Sequence, residues 1–293
     1  MRGAGHNFGV VTSFEMKIYP ATVLTYYYRS YIFTGDVLED LFEKLNAFHG
    51  NGTLTNQMVG SFGVYAINPD VGNESAAITW IFVYAGDQTS AEPLLENFDL
   101  LKAVTKEEGN VPCTSVSDVL FSGLDSPLCS PNQTHIIGTA GLQVYNITTQ
   151  RQLYQLFDEK VSEQPGLNNA RLVHEGYTVE AATKRVHRYF DVSPEPGSGL
   201  EGFAQEWARD TIDLWNAGQP SRKPTTYVNY AAGHEPIESM YGYEPWRLER
   251  LRALKAQYDP LNKFAYYNPI IPPAAKQYRS DFAATVDQIT VQG

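Results

Sequence analysis

The sequence predicts an α+β fold, in which a large, mainly antiparallel sheet is covered by helices on one face. Runs rich in Val, Ile, Tyr and Phe alternate along the chain with amphipathic stretches, and a strand-strand-helix order recurs. Hydrophobic residues make up 43% of the 293 residues and charged residues 19%, which is the balance of a globular chain. The face of the sheet without helices would be free to form a pocket.

Five segments have the alternation and the β-branched or aromatic content of strands. They are Val23–Phe33, Met58–Tyr65, Ile78–Tyr84, His135–Tyr145 and Ala170–Tyr177. Five others place apolar residues at helical spacing. They are Asp36–Phe48, Ala91–Leu101, Thr149–Val161, Leu200–Trp215 and Trp246–Tyr258. We expect the apolar stripes of the last two helices, including Trp207, Leu251, Leu254 and Tyr258, to lie in the core. Ser193–Gly199 predicts a surface loop or an internal boundary.

Charge and hydropathy argue against two classes of partner. A net charge of −11 and a pI near 5.0 oppose binding to nucleic acid, which depends on clustered Lys and Arg. No apolar run approaches the roughly 20 residues that cross a bilayer.

The first residues contain no apolar stretch typical of a signal peptide. Sequons at Asn51, Asn73, Asn132 and Asn146 hint at a secreted ancestry, so the sequence leaves localisation open.

The cysteines and histidines do not predict a metal site. Cys113 and Cys129 are too far apart for a C-x-x-C motif, and the histidines show no metal-ligand spacing. For the two cysteines the sequence leaves two alternatives open, a single disulfide closing a loop or two separate buried thiols.

The two ends of the chain carry the most specific motifs. Glycines are spaced through Gly3–Phe14, and Gly5 and Gly9 would let the backbone approach a ligand closely, although plain turn chemistry also accounts for them. The other end is rich in tyrosine. It contains Tyr227-Val228-Asn229-Tyr230 and, later, Tyr258-Asp259-Pro260-Leu261-Asn262-Lys263-Phe264.

Together these segments resemble the berberine-bridge-enzyme-like branch of the vanillyl-alcohol-oxidase flavoprotein superfamily, especially its fungal members. In that family a G-x-x-x-N-F-G-[IV]-V-T segment closes the flavin domain, a substrate domain follows, and a tyrosine-rich N-Y strand and a Y-D-P-x-x-x-F segment return to the flavin. The resemblance implies a remnant of the FAD-binding domain at residues 1–20, a substrate-binding domain at 21–222 and a C-terminal element at 223–293. Asn268-Pro269-Ile270 departs from the usual Gln-Ser-Ile.

The resemblance also implies that the chain is N-terminally truncated. Family members carry further sequence before the first motif. That preceding sequence holds a loop around the pyrophosphate and the His or Cys that tether FAD. This sequence has no match to those tethers, and His6 does not occupy a family attachment position. FAD is therefore the expected cofactor by family alone. A second polypeptide or self-association is a further expectation, since either would cover the exposed flavin-domain face.

The family's chemistry assigns roles to individual residues. A flavin oxidase needs a base near the ring, because a proton leaves the substrate as hydride moves to the flavin. The resemblance places this base at Tyr230. A free Tyr titrates near 10, so a helping carboxylate is expected, and Glu175 and Glu180 are the candidates. Asn229 would stand beside the ring system. On the other approach to the flavin the resemblance places Gly5, Asn7, Phe8 and Gly9.

The resulting hypothesis is an FAD-linked oxidoreductase that oxidises a small alcohol, a carbohydrate or a natural-product intermediate. Two alternatives remain open at the level of sequence. A flavin-independent isomerase or cyclase would keep the pocket and use Tyr230 or a carboxylate for acid-base chemistry. A non-catalytic fragment would keep only the fold.

Overall fold

The computed structural model describes residues 5–50, 55–126, 129, 133–176 and 186–271. In these residues a seven-stranded sheet has the order β4-β1-β3-β2-β6-β7-β5, and all of its strand pairs are antiparallel. The strands are β1 (Tyr26–Phe33), β2 (Met58–Asn68), β3 (Gly72–Ala85), β4 (Thr105–Val111), β5 (Ile136–Leu142), β6 (Arg171–Gly176) and β7 (Val186–Val192). The predicted fold class is confirmed, as each of the five predicted strands is present.

Seven α-helices lie in the described residues. They are α1 (Leu38–His49), α2 (Gln88–Asp99), α3 (Val116–Val119), α4 (Ile147–Glu163), α5 (Glu201–Ala217), α6 (Ile237–Tyr241) and α7 (Pro245–Tyr258). The N-termini of two of these helices are fixed by side-chain caps. The Asp87 carboxylate accepts a hydrogen bond from the backbone N–H of Ser90 at α2, and the Asn146 side chain accepts one from Thr149 at α4.

The chain divides into two compact units. The larger unit, Pro20–Tyr230, is continuous in sequence and contains the whole sheet with α1–α5. The smaller unit combines Met1–Tyr19 with Ala231–Gly293 and contains α6 and α7. The stretch Ser193–Gly199 is a loop between β7 and α5 inside the larger unit, so it is not a boundary between units.

One face of the sheet packs against helices. Trp80 of β3 contacts Phe42 of α1 with 5.7 Å between ring centres, and Phe190 of β7 contacts Trp207 of α5 at 4.7 Å. All four rings belong to one buried cluster. Each large apolar side chain buried in this way contributes roughly 1.5–3 kcal/mol. The sheet residues that alternate with those of this layer point to the opposite face.

Several local expectations were wrong. In α7 the buried residues are Leu248 and Lys255, whereas Tyr258 is 64% exposed and Leu251 and Leu254 are only partly buried. Both cysteines are free and exposed, which excludes the disulfide and the buried thiols alike in this structure. Of the sequon residues, Asn51 and Asn132 lie outside the described residues.

Candidate functional site

The sheet face that alternates with the helix-covered face brings polar and aromatic residues together. Glu175 of β6 is directly opposite Phe62 of β2, so both side chains emerge on one face. Tyr189 and Asp191 are two residues apart on β7 and therefore share a face. Ile137 of β5 is opposite Asp191. The register of four neighbouring strands thus builds one continuous surface.

This surface lines a cavity of about 550 Å³, which is within the usual size range of small-molecule sites. Most of the lining is apolar or aromatic, and the titratable groups are two carboxylates, two tyrosines, a histidine and a thiol. The lining residues are Phe62, Leu120, Ser122, Cys129, His135, Ile137, Glu175, Gly176, Tyr189, Asp191 and Tyr230. All of them belong to the larger unit.

Tyr230 enters the cavity from a 3₁₀ turn, Val228–Tyr230, and not from the strand that the motif predicted. The backbone N–H of Tyr230 donates to the carbonyl of Tyr227 at 2.9 Å, which closes the turn. The Tyr230 ring packs against Tyr189 at 4.6 Å and against Tyr227 at 5.2 Å between ring centres. Its hydroxyl donates to Oε1 of Glu175 at 3.3 Å. The structure therefore brings together two of the three residues predicted to be catalytic.

The environment of Glu175 favours a carboxyl group that binds a proton readily. Burial raises its pKa above the ordinary value, and the hydrogen bond from Tyr230 and the charge of Arg188 oppose this effect only in part. Arg188 is itself buried, and its Nη1 donates to the backbone carbonyl of Glu175 at 2.7 Å. Arg188 therefore fixes the backbone of Glu175, and the carboxylate is left to face Tyr230.

The cavity holds a second polar pair that the sequence did not reveal. Nδ1 of His135 lies 2.9 Å from Oδ1 of Asp191, and Oγ of Ser193 lies 3.1 Å from the same nitrogen. Asp191 is only 4% exposed, and burial raises its pKa while the contact with His135 opposes the increase. The available signal was the alternation of Tyr189 and Asp191 along β7, which places both residues on the cavity face.

The glycine-rich turn of the smaller unit is built around Asn7, which is fully buried. Its side-chain Nδ2 donates to the hydroxyl of Tyr241 at 3.0 Å, and its Oδ1 accepts from the backbone N–H of Ile270 at 2.8 Å. Gly5 has a φ of +53°, and an added Cβ at Gly5 or Gly9 would have no atom within 4 Å. Phe8, between them, is partly buried.

A buried lysine also supports this turn, although its helical position gave no sign of it. Lys255 of α7 is 0% exposed, and its Nζ donates to the backbone carbonyls of Asn7 and Phe264. It also forms an ion pair with Asp259 at 2.7 Å. The Asp259 carboxylate in turn accepts from the backbone N–H groups of Lys263 and Phe264, so the Y-D-P-x-x-x-F segment is tied to the glycine-rich turn.

The other two predicted site residues are Asn229 and Glu180. Asn229 is exposed, and its Nδ2 donates to the hydroxyl of Tyr227 at 2.9 Å. Glu180, the other candidate carboxylate, lies outside the described residues. Among the described helices, none is both long and apolar enough to cross a membrane.

Comparison with known proteins gives consistent matches. The family model described as berberine and berberine like matches residues 226–271. The FAD-linked oxidoreductase anuG of Penicillium roqueforti is 49% identical over 284 residues, and the FAD-linked oxidoreductase OXR2 of Pyricularia oryzae is 42% identical over 289 residues. Each match covers 92% of this chain and 56% of the relative, so the chain spans little more than half the length of these proteins.

A solved structure of a chitooligosaccharide oxidase has the same fold. It superposes with a TM-score of 0.68 at 16% identity, over 92% of this chain and 60% of the oxidase. At this identity the match supports the architecture of the sheet and helices, and it carries no information on substrate.

Proposed function

Because this chain belongs to the berberine-bridge-like family of FAD-linked oxidoreductases, we propose that it forms the substrate side of a flavin-dependent oxidase active site. The observation that carries the proposal is the hydrogen bond from Tyr230 to Glu175 at the wall of a 550 Å³ cavity. A hydroxyl group and a partly buried carboxylate in contact form a route for a proton out of a bound substrate. Tyr230 is the proposed catalytic base.

The proton moves in two linked transfers. The phenolic oxygen of Tyr230 takes the proton of the substrate hydroxyl, and the proton that Tyr230 held passes to Oε1 of Glu175. Glu175 suits this role because burial raises its pKa and brings its proton affinity closer to that of the donor. Packing against Tyr189 and Tyr227 restricts the Tyr230 ring to the orientation that permits both transfers.

Residues of the glycine-rich turn fit the edge of a flavin site. Gly5 and Gly9 leave open space where a side chain would otherwise stand, so a planar ring could approach the backbone beside Phe8. Asn7 would not contact such a ring, because both ends of its amide already hydrogen-bond within the unit, and it would instead hold the turn in shape. When bound, FAD supplies the acceptor for the hydride that leaves the substrate carbon.

The remainder of the flavin site would come from the portion of the relatives that the match does not span, in the same polypeptide or in a second one. The substrate class proposed is a small alcohol, a carbohydrate or a natural-product intermediate, as the resemblance of the sequence motifs to the family implies. The flavin-independent isomerase or cyclase is not favoured, since relatives at 42–49% identity are named FAD-linked oxidoreductases.

The test is replacement of Tyr230 with Phe in the flavin-loaded protein, with the rate of flavin reduction followed by stopped-flow absorbance. We expect the rate to fall at least tenfold, equivalent to about 1.4 kcal/mol of transition-state stabilisation. Tyr28→Phe is the matched control, because Tyr28 is a partly buried tyrosine of β1 outside the cavity lining. A reduction rate equal to that of the unmodified protein would remove Tyr230 from the mechanism.

A further inference from the structure

The cavity has two polar ends separated by an aromatic wall. One end is Glu175 with Tyr230, and the other is Asp191 with His135. In the register of β6 and β7, Glu175 is opposite His187, and Asp191 is four residues further along β7. Four residues of antiparallel strand span about 13 Å. The side chain between the two ends on the cavity face of β7 is Tyr189.

The second polar end presents a hydrogen-bonding atom of defined character. When Asp191 is ionised, its carboxylate only accepts hydrogen bonds, and Nδ1 of His135 is then the donor of this contact. In a neutral imidazole this leaves Nε2 as an acceptor. Within the described residues Nδ1 has two polar contacts, to Asp191 and Ser193, and Nε2 has none. His135 is partly exposed at the cavity wall, so Nε2 is available to a ligand.

A basic residue acts on the carboxylate of this pair. Arg171 of β6 is opposite Asp191 of β7, and its charge opposes the rise in the pKa of that carboxyl group. The lining itself contains no Lys or Arg among the described residues. A largely apolar cavity with an acceptor at each end, and with no Lys or Arg among its described lining residues, suits an uncharged molecule that carries a hydrogen-bond donor at each end.

We propose that His135 is a second substrate-contacting residue, whose Nε2 accepts a hydrogen bond from a substrate hydroxyl at the end of the molecule opposite the one that Tyr230 deprotonates. Asp191 is its positioning residue, since it fixes the ring and its tautomer. The substrate class is then an elongated, neutral and largely aromatic or apolar molecule with two terminal hydroxyl groups. This inference rests on the proposed function in treating the cavity as the substrate pocket and Tyr230 as the residue that deprotonates the other end of the substrate.

The test is binding, which is independent of turnover. The full chain is titrated by isothermal calorimetry with 4,4′-dihydroxybiphenyl and with 4-hydroxybiphenyl, which lacks one hydroxyl. We expect the dihydroxy probe to bind tighter by on the order of tenfold, the effect of one added net hydrogen bond. Equal affinities in the unmodified protein would overturn the proposal without any variant.

Variants then locate the added bond. In His135→Phe the preference for the dihydroxy probe over the monohydroxy probe should fall to about twofold. That factor remains because the dihydroxy probe can bind with either of its two equivalent hydroxyls. His135→Gln, which keeps an acceptor, should retain most of the preference. Asp191→Asn should reduce the preference for the dihydroxy probe, because the ring of His135 loses the carboxylate that orients it. His234→Phe, at an exposed histidine outside the cavity, is the control. An undiminished preference in His135→Phe would refute the assignment, whereas loss of turnover in Tyr230→Phe tests the proposed function separately.

Discussion

Replacing Glu175 with Gln should separate the catalytic role of this residue from its structural one. Gln keeps the shape and can still accept the hydrogen bond from Tyr230, but it cannot take up the proton. A positioned base typically contributes about 10²–10⁴ in rate. The Tyr230 to Glu175 distance of 3.3 Å is long for an O–H···O bond, so the lower limit applies. We expect a loss of about 100-fold, or roughly 2.7 kcal/mol.

The pH dependence supplies a second signature of the same change. Glu175 must be ionised to accept the proton, and burial raises its pKa above the ordinary value. Flavin reduction in the unmodified protein should therefore decline as the pH falls, beginning above the range in which an exposed Glu titrates. In Glu175→Gln this acidic decline should disappear. The measurement is single-turnover flavin reduction by stopped-flow absorbance across a pH series.

Glu175→Gln should raise the stability of the protein at neutral pH, although it lowers the rate of flavin reduction. The folded pKa of Glu175 lies above the unfolded one, so ionisation is penalised only in the folded state, and this penalty is fully present above the folded pKa. Glu175→Gln should therefore raise the free energy of unfolding at neutral pH. The gain should vanish as the pH falls below the unfolded pKa, about 4.3. Glu159→Gln, at an exposed site on α4, should show neither effect. An unchanged reduction rate in Glu175→Gln, or lower stability at every pH, would refute the reasoning.

Two further predictions concern the frame of the larger unit, each measured by denaturant unfolding. Arg29→Met should cost about 3 kcal/mol, because the buried guanidinium pairs with two carboxylates. Lys106→Met removes a partly exposed partner of the same carboxylates and should cost less than about 1 kcal/mol, so equal losses would contradict the burial argument. Gly63→Ala should cost about 1–3 kcal/mol, since its Cβ would overlap the Trp80 ring. Gly202→Ala, with open space on a helix, should instead stabilise the fold.

Strand prediction succeeded where packing produces alternation. The predicted strands overlap β1, β2, β3, β5 and β6, whose cores are rich in aromatic and β-branched residues. Two strands, β4 and β7, were missed. The edge strand β4 was missed because Thr105–Val111 is mostly exposed, pairs only with β1 and has a polar sequence. A strand held by backbone hydrogen bonds to one neighbour leaves little trace in the hydrophobic pattern.

The candidate site was predictable only where a motif marked it. The tyrosine-rich motif predicted Tyr230 as the candidate base, and the expected need for a helping acid made Glu175 a candidate. The structure places the two side chains in contact. The pair of His135 and Asp191 could not be found in this way, because the contact depends on the register between β5 and β7. Lys255 was missed for another reason. A helical pattern of apolar residues predicts that a lysine on α7 is exposed to solvent. Lys255 is buried because its Nζ donates to backbone carbonyls of two other segments, and the helical pattern contains no information about those contacts.

The partners of Asn7 impose an order on folding. Besides the neighbouring His6, the residues that hydrogen-bond to it are Tyr241, Lys255 and Ile270, and these three are synthesised more than 200 residues later. At about 5–20 residues per second, Asn7 would wait tens of seconds on the ribosome before these partners appear. The larger unit, which is continuous from Pro20 to Tyr230, can complete its sheet during this interval. Of the two units, the smaller one is therefore the last to form.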